Sequence, residues 1–156
     1  MSNHKAVLYI EDNIHNRRLV RKVLQSQGYT VIEAEDGLSG LTMGMKNVMG
    51  IMGGNRGQIH SGFDDKIVDV NLARPSHLTI LDATRILVAH GPQGGRLEDV
   101  REPRTVVAGT DIVAVDAYGT RFFDLEPKDI DHIRRAAERG LGTMDLGKVK
   151  IREESL

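Results

Sequence analysis

The first 34 residues constrain the fold most, because they read as a strand, a helix and a second strand. Residues 5–11 form an apolar run of strand length, typical of a strand buried on both faces of a parallel sheet. Apolar residues at three- and four-residue spacing then predict an amphipathic helix over residues 13–27, which Gly28 ends. Residues 29–34 form a second strand. Two strands joined in this way pair in parallel through a right-handed crossover, so we expect an α/β protein.

The rest of the chain continues the same pattern. The sequence predicts further helices over residues 37–50, 64–72, 110–123 and 127–140, with Thr110 as an N-cap, and further strands over residues 78–81, 86–89, 105–108 and 149–151. We therefore expect one domain, residues 1–156, of the three-layer flavodoxin-like class. Its mainly parallel sheet would have about five strands in the order 2-1-3-4-5, flanked by helices. Residues 152–156 are expected to be a frayed tail.

Composition limits the function classes. Hydrophobic residues make up 40% and charged residues 28% of the 156 residues, with a formal charge of -1, so we expect a soluble protein that is drawn neither to nucleic acid nor to a membrane. The absence of cysteine excludes a disulfide framework, a thiol nucleophile and a cysteine-held metal centre within this chain. We therefore expect a cytoplasmic protein, and the N-terminal apolar run is too short for a secretory signal or a membrane span.

One segment differs from the rest of the chain in its amino-acid composition. Eight glycines and four methionines lie between Gly37 and Gly62, and interior glycines weaken a helix by roughly 0.5–1 kcal/mol each. The methionine sulfurs suit a soft copper site, but flexible thioethers that fill an irregular core are far more common. We interpret these methionines as packing residues.

Residues 5–41 resemble the opening of a response-regulator receiver domain. The resemblance rests on Val7-Leu-Tyr-Ile-Glu-Asp-Asn13, Asn16 and Gly28-Tyr-Thr-Val-Ile-Glu-Ala-Glu-Asp-Gly37. It implies that Glu11 and Asp12 help to hold Mg²⁺ beside a phosphoacceptor aspartate at the end of a third strand. The glycine- and methionine-rich segment stands where that strand is expected, so the resemblance ends there.

Residues 45–151 resemble the C-terminal part of a second family, domain of unknown function 362. The motifs that carry this resemblance are Lys46-Asn-Val-Met-Gly50, His60, Ile67-Val-Asp69-Val-Asn71, Leu81-Asp82, Gly91-Pro92, Gly109-Thr-Asp-Ile-Val-Ala-Val-Asp116 and Ala137-x-x-Gly140-Leu-Gly142. Relatives in that family often carry an iron–sulfur module, which a chain without cysteine does not support. Two unrelated partial resemblances predict a fusion near residues 41–45, and we favour a laboratory chimera over a natural gene fusion.

A carboxylate cluster is the most concrete candidate site. Ligands of doubly wound sheets gather at the carboxyl ends of the strands, where Glu11, Asp12, Asp82 and Thr110 are all expected to lie. Their oxygens suit Mg²⁺, and Asp82 would take the place of a phosphoacceptor, although no lysine stands at a fifth-strand position. The alternative is that Asp12 and Asp82 only cap helices or turns.

A second candidate is a small-anion site formed by Lys46, Asn47, His60 and Thr110. Backbone N–H groups in glycine-rich sequence, together with an ammonium group, suit phosphate. The sequence has no intact phosphate-loop motif, and glycine-rich loops are more often simple turns.

Two aspartates and the histidines carry further expectations. Asp111 is expected to favour the N-terminus of its helix electrostatically, while Asp116 is either exposed or functional. The histidines, His132 among them, show no metal-ligand spacing and are expected at the surface or in turns.

The leading functional hypothesis is a folded chimeric scaffold with no catalytic activity and no required cofactor. The alternatives are a Mg²⁺-binding, receiver-like phosphoacceptor that uses Asp82, and a residual phosphate-binding site. We expect no nucleic-acid, membrane or obligatory protein partner, and at most a weak homodimer.

Overall fold

A computed structural model describes residues 6–10, 14–27, 30–34, 43–52, 62–89 and 96–155. The strands are β1 (Ala6–Ile10), β2 (Thr30–Ala34), β3 (Leu78–Ala83), β4 (Ile86–Leu87), β5 (Val100–Arg101) and β6 (Thr105–Gly109). The helices are α1 (Ile14–Ser26), α2 (Met43–Asn47), α3 (Phe63–Ala73), α4 (Ile112–Gly119) and α5 (Asp131–Glu138). Short 3-10 turns cover Val48–Ile51, Leu97–Asp99, Thr120–Phe123, Pro127–Asp129 and Leu146–Lys148. None of the helices in these ranges is long and apolar enough to cross a membrane.

Four strands form the main sheet, in the order β2-β1-β3-β6. β1 runs parallel to β2 and to β3, with Ile10 opposite Leu81. β6 runs antiparallel to β3, with Gly109 opposite Thr79 and Thr105 opposite Ala83. β4 and β5 form a separate two-stranded antiparallel ribbon.

The prediction of a flavodoxin-like domain with a mainly parallel sheet of about five strands is therefore wrong. Parallel neighbours need a crossover connection, usually an α-helix. The described parts of the connection from β3 to β6, residues 84–89 and 96–104, hold the ribbon and a 3-10 turn but no α-helix. The chain accordingly returns beside β3 in the opposite direction. Residues 149–151, predicted to be a last strand, belong instead to an irregular C-terminal segment.

The described core lies where α2, α3, α4 and α5 pack together and against β3. Its fully buried members include Met45, Val48, Ile67, Val113 and Ile133. Met43 and Met45 are both buried, which agrees with a packing role for these methionines. α3 and α5 are also joined at their surface, where Arg135 lies 2.5 Å from Asp65 and Arg139 lies 2.6 Å from Asp69.

Two apolar residues of α3 test how much this core stabilises the fold. Ile67 is fully buried, whereas Leu72 on the same helix is 37% exposed. We expect Ile67→Ala to lower the free energy of unfolding by about 2–5 kcal/mol, because it removes buried methyl groups and leaves a cavity. Leu72→Ala is the control and should cost less than about 1 kcal/mol. Urea denaturation of both variants measures the difference, and equal losses would contradict this description of the core.

Candidate functional site

A buried carboxylate joins two helices at the centre of the fold. Asp116 lies within α4 and is 0% exposed. Its Oδ1 accepts the N–H of Gly44 at 2.8 Å, and its Oδ2 accepts the N–H of Met45 at 2.9 Å. These N–H groups belong to the first turn of α2, where helical donors have no partner within the helix. Asp116 therefore caps α2 from across the core.

Burial changes the acid–base behaviour of this carboxyl group. Desolvation raises the pKa of Asp116 to about 7, and the hydrogen bonds from Met45 and Gly44 oppose that rise only in part. The sequence predicted that Asp116 is either exposed or functional. Because Asp116 is buried, a functional role is the one of these two alternatives that remains. Both carboxylate oxygens are already engaged by backbone N–H groups, so the geometry favours a structural role.

Gly44 allows this approach of α2 to α4. A Cβ atom at Gly44 would lie 2.7 Å from Asp116 Oδ1 and 3.1 Å from Thr79 Cγ2, which is too close for any larger residue without movement. The glycine that weakens the local helix thus permits its cap to form.

A buried asparagine ties α2 to α3. The Nδ2 of Asn71 donates to the carbonyl oxygens of Met45 and Ile67, both at 2.8 Å. Its Oδ1 is buried without a hydrogen-bond partner, as is the Nδ2 of Asn47 at the end of α2. Sequence reasoning missed Asn71, although an asparagine four residues after Ile67, on the apolar side of a predicted helix, was a usable signal.

The antiparallel direction of β6 separates two of the predicted site residues. Asp82 lies opposite Val106, near the start of β6, whereas Thr110 follows Gly109 at the other end of that strand. Gly109 lies opposite Thr79, which is three residues or about 10 Å from Asp82 along β3, and Thr110 lies one residue beyond Gly109. The structure therefore does not bring Asp82 and Thr110 together as expected for a mainly parallel sheet.

Asp82 also has a local structural role. Its Oδ1 accepts the N–H of Thr84 at 2.8 Å, which is the turn-capping arrangement that the sequence left open as an alternative. Glu11 and Asp12 lie outside the described residues. The residues that the structure describes contain no group of three or more histidine, aspartate or glutamate side chains able to hold a metal ion.

The predicted anion-binding residues are only partly described. Lys46 and Asn47 are neighbours on α2, with the Lys46 ammonium 5.9 Å from the centre of the Phe63 ring. Asn47 is 8% exposed, Thr110 is exposed at the end of β6, and His60 lies outside the described residues. Among these candidates, Asn47 has a buried side chain whose Nδ2 group makes no hydrogen bond.

Asp111, rather than Thr110, is the N-cap of α4. Its Oδ1 accepts the N–H groups of Val113 at 2.9 Å and Ala114 at 3.1 Å, and its Oδ2 accepts the N–H of Thr143 at 2.9 Å. The prediction that Thr110 caps this helix is wrong, and the expected association of Asp111 with the helix N-terminus is confirmed. The bond to Thr143 also anchors the segment after α5.

His132 is buried between α5 and α3, so its expected surface position is wrong. Its Nδ1 lies 3.4 Å from Asp64 Oδ1, and its Nε2 has no hydrogen-bond partner. Burial lowers the pKa of His132, and the charge and hydrogen bond of Asp64 act in the opposite direction.

These contacts define a mixed α/β protein in which buried Asp116 and Asn71 hold a short helix against α4 and α3. The family model described as Domain of unknown function (DUF362) matches residues 35–121, more than half of the chain. The chain belongs to this family. No curated protein and no solved structure matches it.

The raised pKa of Asp116 predicts a pH-dependent stability. Its pKa is about 7 in the folded protein and near 3.8 in the unfolded chain, so the folded state binds the proton more tightly and stability falls as pH rises through this window. We expect the unfolding free energy of the wild type, measured relative to that of Asp116→Asn, to fall by about 2–3 kcal/mol from pH 5 to pH 8. Urea denaturation at several pH values measures it.

Two features of this experiment isolate Asp116. The lowered pKa of His132 makes stability fall as pH falls through the histidine range, but His132 is present in both proteins and cancels in the difference. Asp129→Asn, at an exposed carboxyl, is the control substitution. A difference between the wild type and Asp116→Asn that stays constant over this range would contradict the prediction.

Proposed function

We propose that the chain is a folded chimeric scaffold with no catalytic activity of its own, in which a receiver-like β-α-β piece completes the sheet of a DUF362 segment. The observation that carries the proposal is the parallel pairing of β1 with β3. β1 and β2 precede the family match, which begins at residue 35, while β3 and β6 lie within it. The proposed join between the two pieces then lies just after β2, slightly before residues 41–45, where the sequence predicted the fusion.

The absence of catalysis is proposed because two carboxylates, buried Asp116 and half-buried Asp111, are engaged by backbone N–H groups. Asp116 uses both oxygens to cap α2, and Asp111 accepts three backbone N–H groups. Carboxylates held in this way have little freedom to bind a substrate or to move a proton to one. They stabilise the positions of α2 and α4 instead.

Removing the receiver-like piece tests the proposal. A chain that begins at residue 35 lacks β1, so the edge of β3 that β1 covers in the full chain has no partner strand. We therefore expect the shortened chain to lose cooperative unfolding and the dispersion of its amide NMR signals. Adding residues 1–34 as a separate peptide should restore the dispersed spectrum. The full chain with Val23→Lys, at an exposed position of α1, is the control and should stay folded. Native stability of the shortened chain would refute the scaffold proposal.

Mg²⁺ binding by Glu11, Asp12 and Asp82 is a second candidate. It is favoured by the register, because Ile10 lies opposite Leu81 and the chain therefore leaves β1 at the same end of the sheet as Asp82. This candidate would make the protein a receiver-like phosphoacceptor.

The Mg²⁺ candidate predicts local NMR shifts. On adding Mg²⁺ and then beryllofluoride, amide signals around Asp82 should move in the wild type and in Asp129→Asn, and should not move in Asp82→Asn, which lacks one ligand charge. Acetyl phosphate should label only the proteins that retain Asp82. Identical spectra with and without Mg²⁺, or no labelled protein, would rule the candidate out.

A phosphate site at Lys46, Asn47, His60 and Thr110 is a third candidate, favoured by the buried, unpaired Nδ2 of Asn47. It predicts that Lys46→Ala weakens the binding of inorganic phosphate, because an ammonium group is lost. Calorimetric titration measures the affinity, and equal affinity in the wild type and the variant would count against the site.

A further inference from the structure

α2 is a short helix that other elements hold in place. It has five residues, and a helix of this length has little stability of its own in water. Asp116 of α4 accepts the N–H groups of Gly44 and Met45 in its first turn. Asn71 of α3 donates to the Met45 carbonyl oxygen. The start of α2 therefore depends on the hydrogen bonds that the Asp116 carboxyl group can accept.

The double cap requires an ionised carboxyl group. A carboxylate has two acceptor oxygens and no donor, so Asp116 can accept one N–H group with each oxygen. A protonated carboxyl group keeps one carbonyl oxygen, while its other oxygen carries an O–H group that must itself donate. Two N–H donors then face only one full acceptor. Protonation of Asp116 accordingly conflicts with one of its two hydrogen bonds.

Burial favours the opposite protonation state. Asp116 is 0% exposed, and burial raises its pKa to about 7, while only the hydrogen bonds from Met45 and Gly44 lower it. The two forms of this group are therefore balanced between desolvation, which favours the neutral acid, and the cap of α2, which favours the carboxylate.

No charged group of the described residues disturbs this balance. The elements packed against α4 carry ionisable side chains at Lys46 on α2, Asp82 on β3, His132 and its charged neighbours on α5, and Arg121, Lys128, Asp129 and Lys148 on the 3-10 turns. None of these side chains contributes to the pKa of Asp116. The protonation state of Asp116 is thus coupled to α2 rather than to a neighbouring charge.

We propose that Asp116 makes the docking of α2 a proton-sensitive switch. In its ionised form Asp116 holds both N–H groups of the first turn, whereas in its neutral form it holds one of them and the start of α2 loosens. Gly44 gives the carboxyl group its close approach, since a Cβ atom there would lie 2.7 Å from Asp116 Oδ1. Because Lys46 and Asn47 lie on the same short helix, the switch also acts on the positions of these two side chains.

The switch predicts that α2 and the whole fold respond to pH in opposite directions. Acidification raises the free energy of unfolding through Asp116, because the neutral acid is the form that burial favours. The same acidification removes one cap from α2. An α2 that only followed the stability of the whole fold would become better protected from hydrogen exchange as pH falls.

Amide NMR of the wild type measures the local effect. We expect the Gly44 and Met45 signals to titrate with one midpoint near pH 7, shared with the carboxyl carbon signal of Asp116. From about pH 8.5 to about pH 5.5, the exchange protection of at least one of these two N–H groups should fall roughly tenfold, relative to an unstructured chain at the same pH. This loss corresponds to one hydrogen bond to a charged acceptor.

Two substitutions serve as controls. Asp116→Asn has one acceptor oxygen and an amide group that does not titrate, so its Gly44 and Met45 signals should not depend on pH over this range. Asp129→Asn, at an exposed carboxyl, should titrate as the wild type does. Burial lowers the pKa of His132, and the ring signals of His132 report its separate midpoint.

Three results would overturn the proposal. The first is a pair of Gly44 and Met45 signals that do not titrate together with the Asp116 carboxyl carbon. The second is better protection of both N–H groups at the lower pH, and the third is the same titration in Asp116→Asn. If Asp116→Asn does not fold, the wild-type midpoints and the direction of the change in protection decide the question by themselves.

Discussion

The contact between Asp116 and the first turn of α2 is the constraint on which the described core depends. A single carboxylate accepts two backbone N–H groups of a five-residue helix, and such a short helix has little stability of its own in water. Asn71 fixes the same helix from α3 by bonding to the Met45 carbonyl. Together these side chains hold Met43 and Met45 inside the core, where the two methionines pack beneath the sheet.

The direction of β6 decides what can be assembled at the ends of the sheet. In a parallel arrangement Asp82 and Thr110 would share one end, but antiparallel pairing places them at opposite ends. The same pairing leaves β6 at the end of the sheet among the described strands, beside the C-terminal segment. One topological feature thus weakens the predicted receiver-like site and makes β6 the last described strand of the sheet.

Much of the local structure could be predicted from the sequence, whereas the roles of buried polar groups could not. Strand composition located β1, β2, β3 and β6, and helical spacing located α1 and α3. The absence of a predicted helix between Asp82 and Thr105 was a signal against parallel pairing that the sequence already contained. His132 and Asn71 were harder to place, because a polar residue on a helix gives no local sign of whether its partner lies on another element.

The sequence by itself determined the alternation of strands and helices, the absence of cysteine chemistry and the packing role of the methionines, because these follow from local periodicity and composition. Tertiary structure alone decided that Asp116 is buried, that it caps α2, and which end of the sheet Asp82 and Thr110 each occupy. Those properties depend on contacts between residues far apart in the chain, such as Gly44 and Asp116, 72 positions from each other. Local patterns contain no information about such pairs, so only the folded chain shows them.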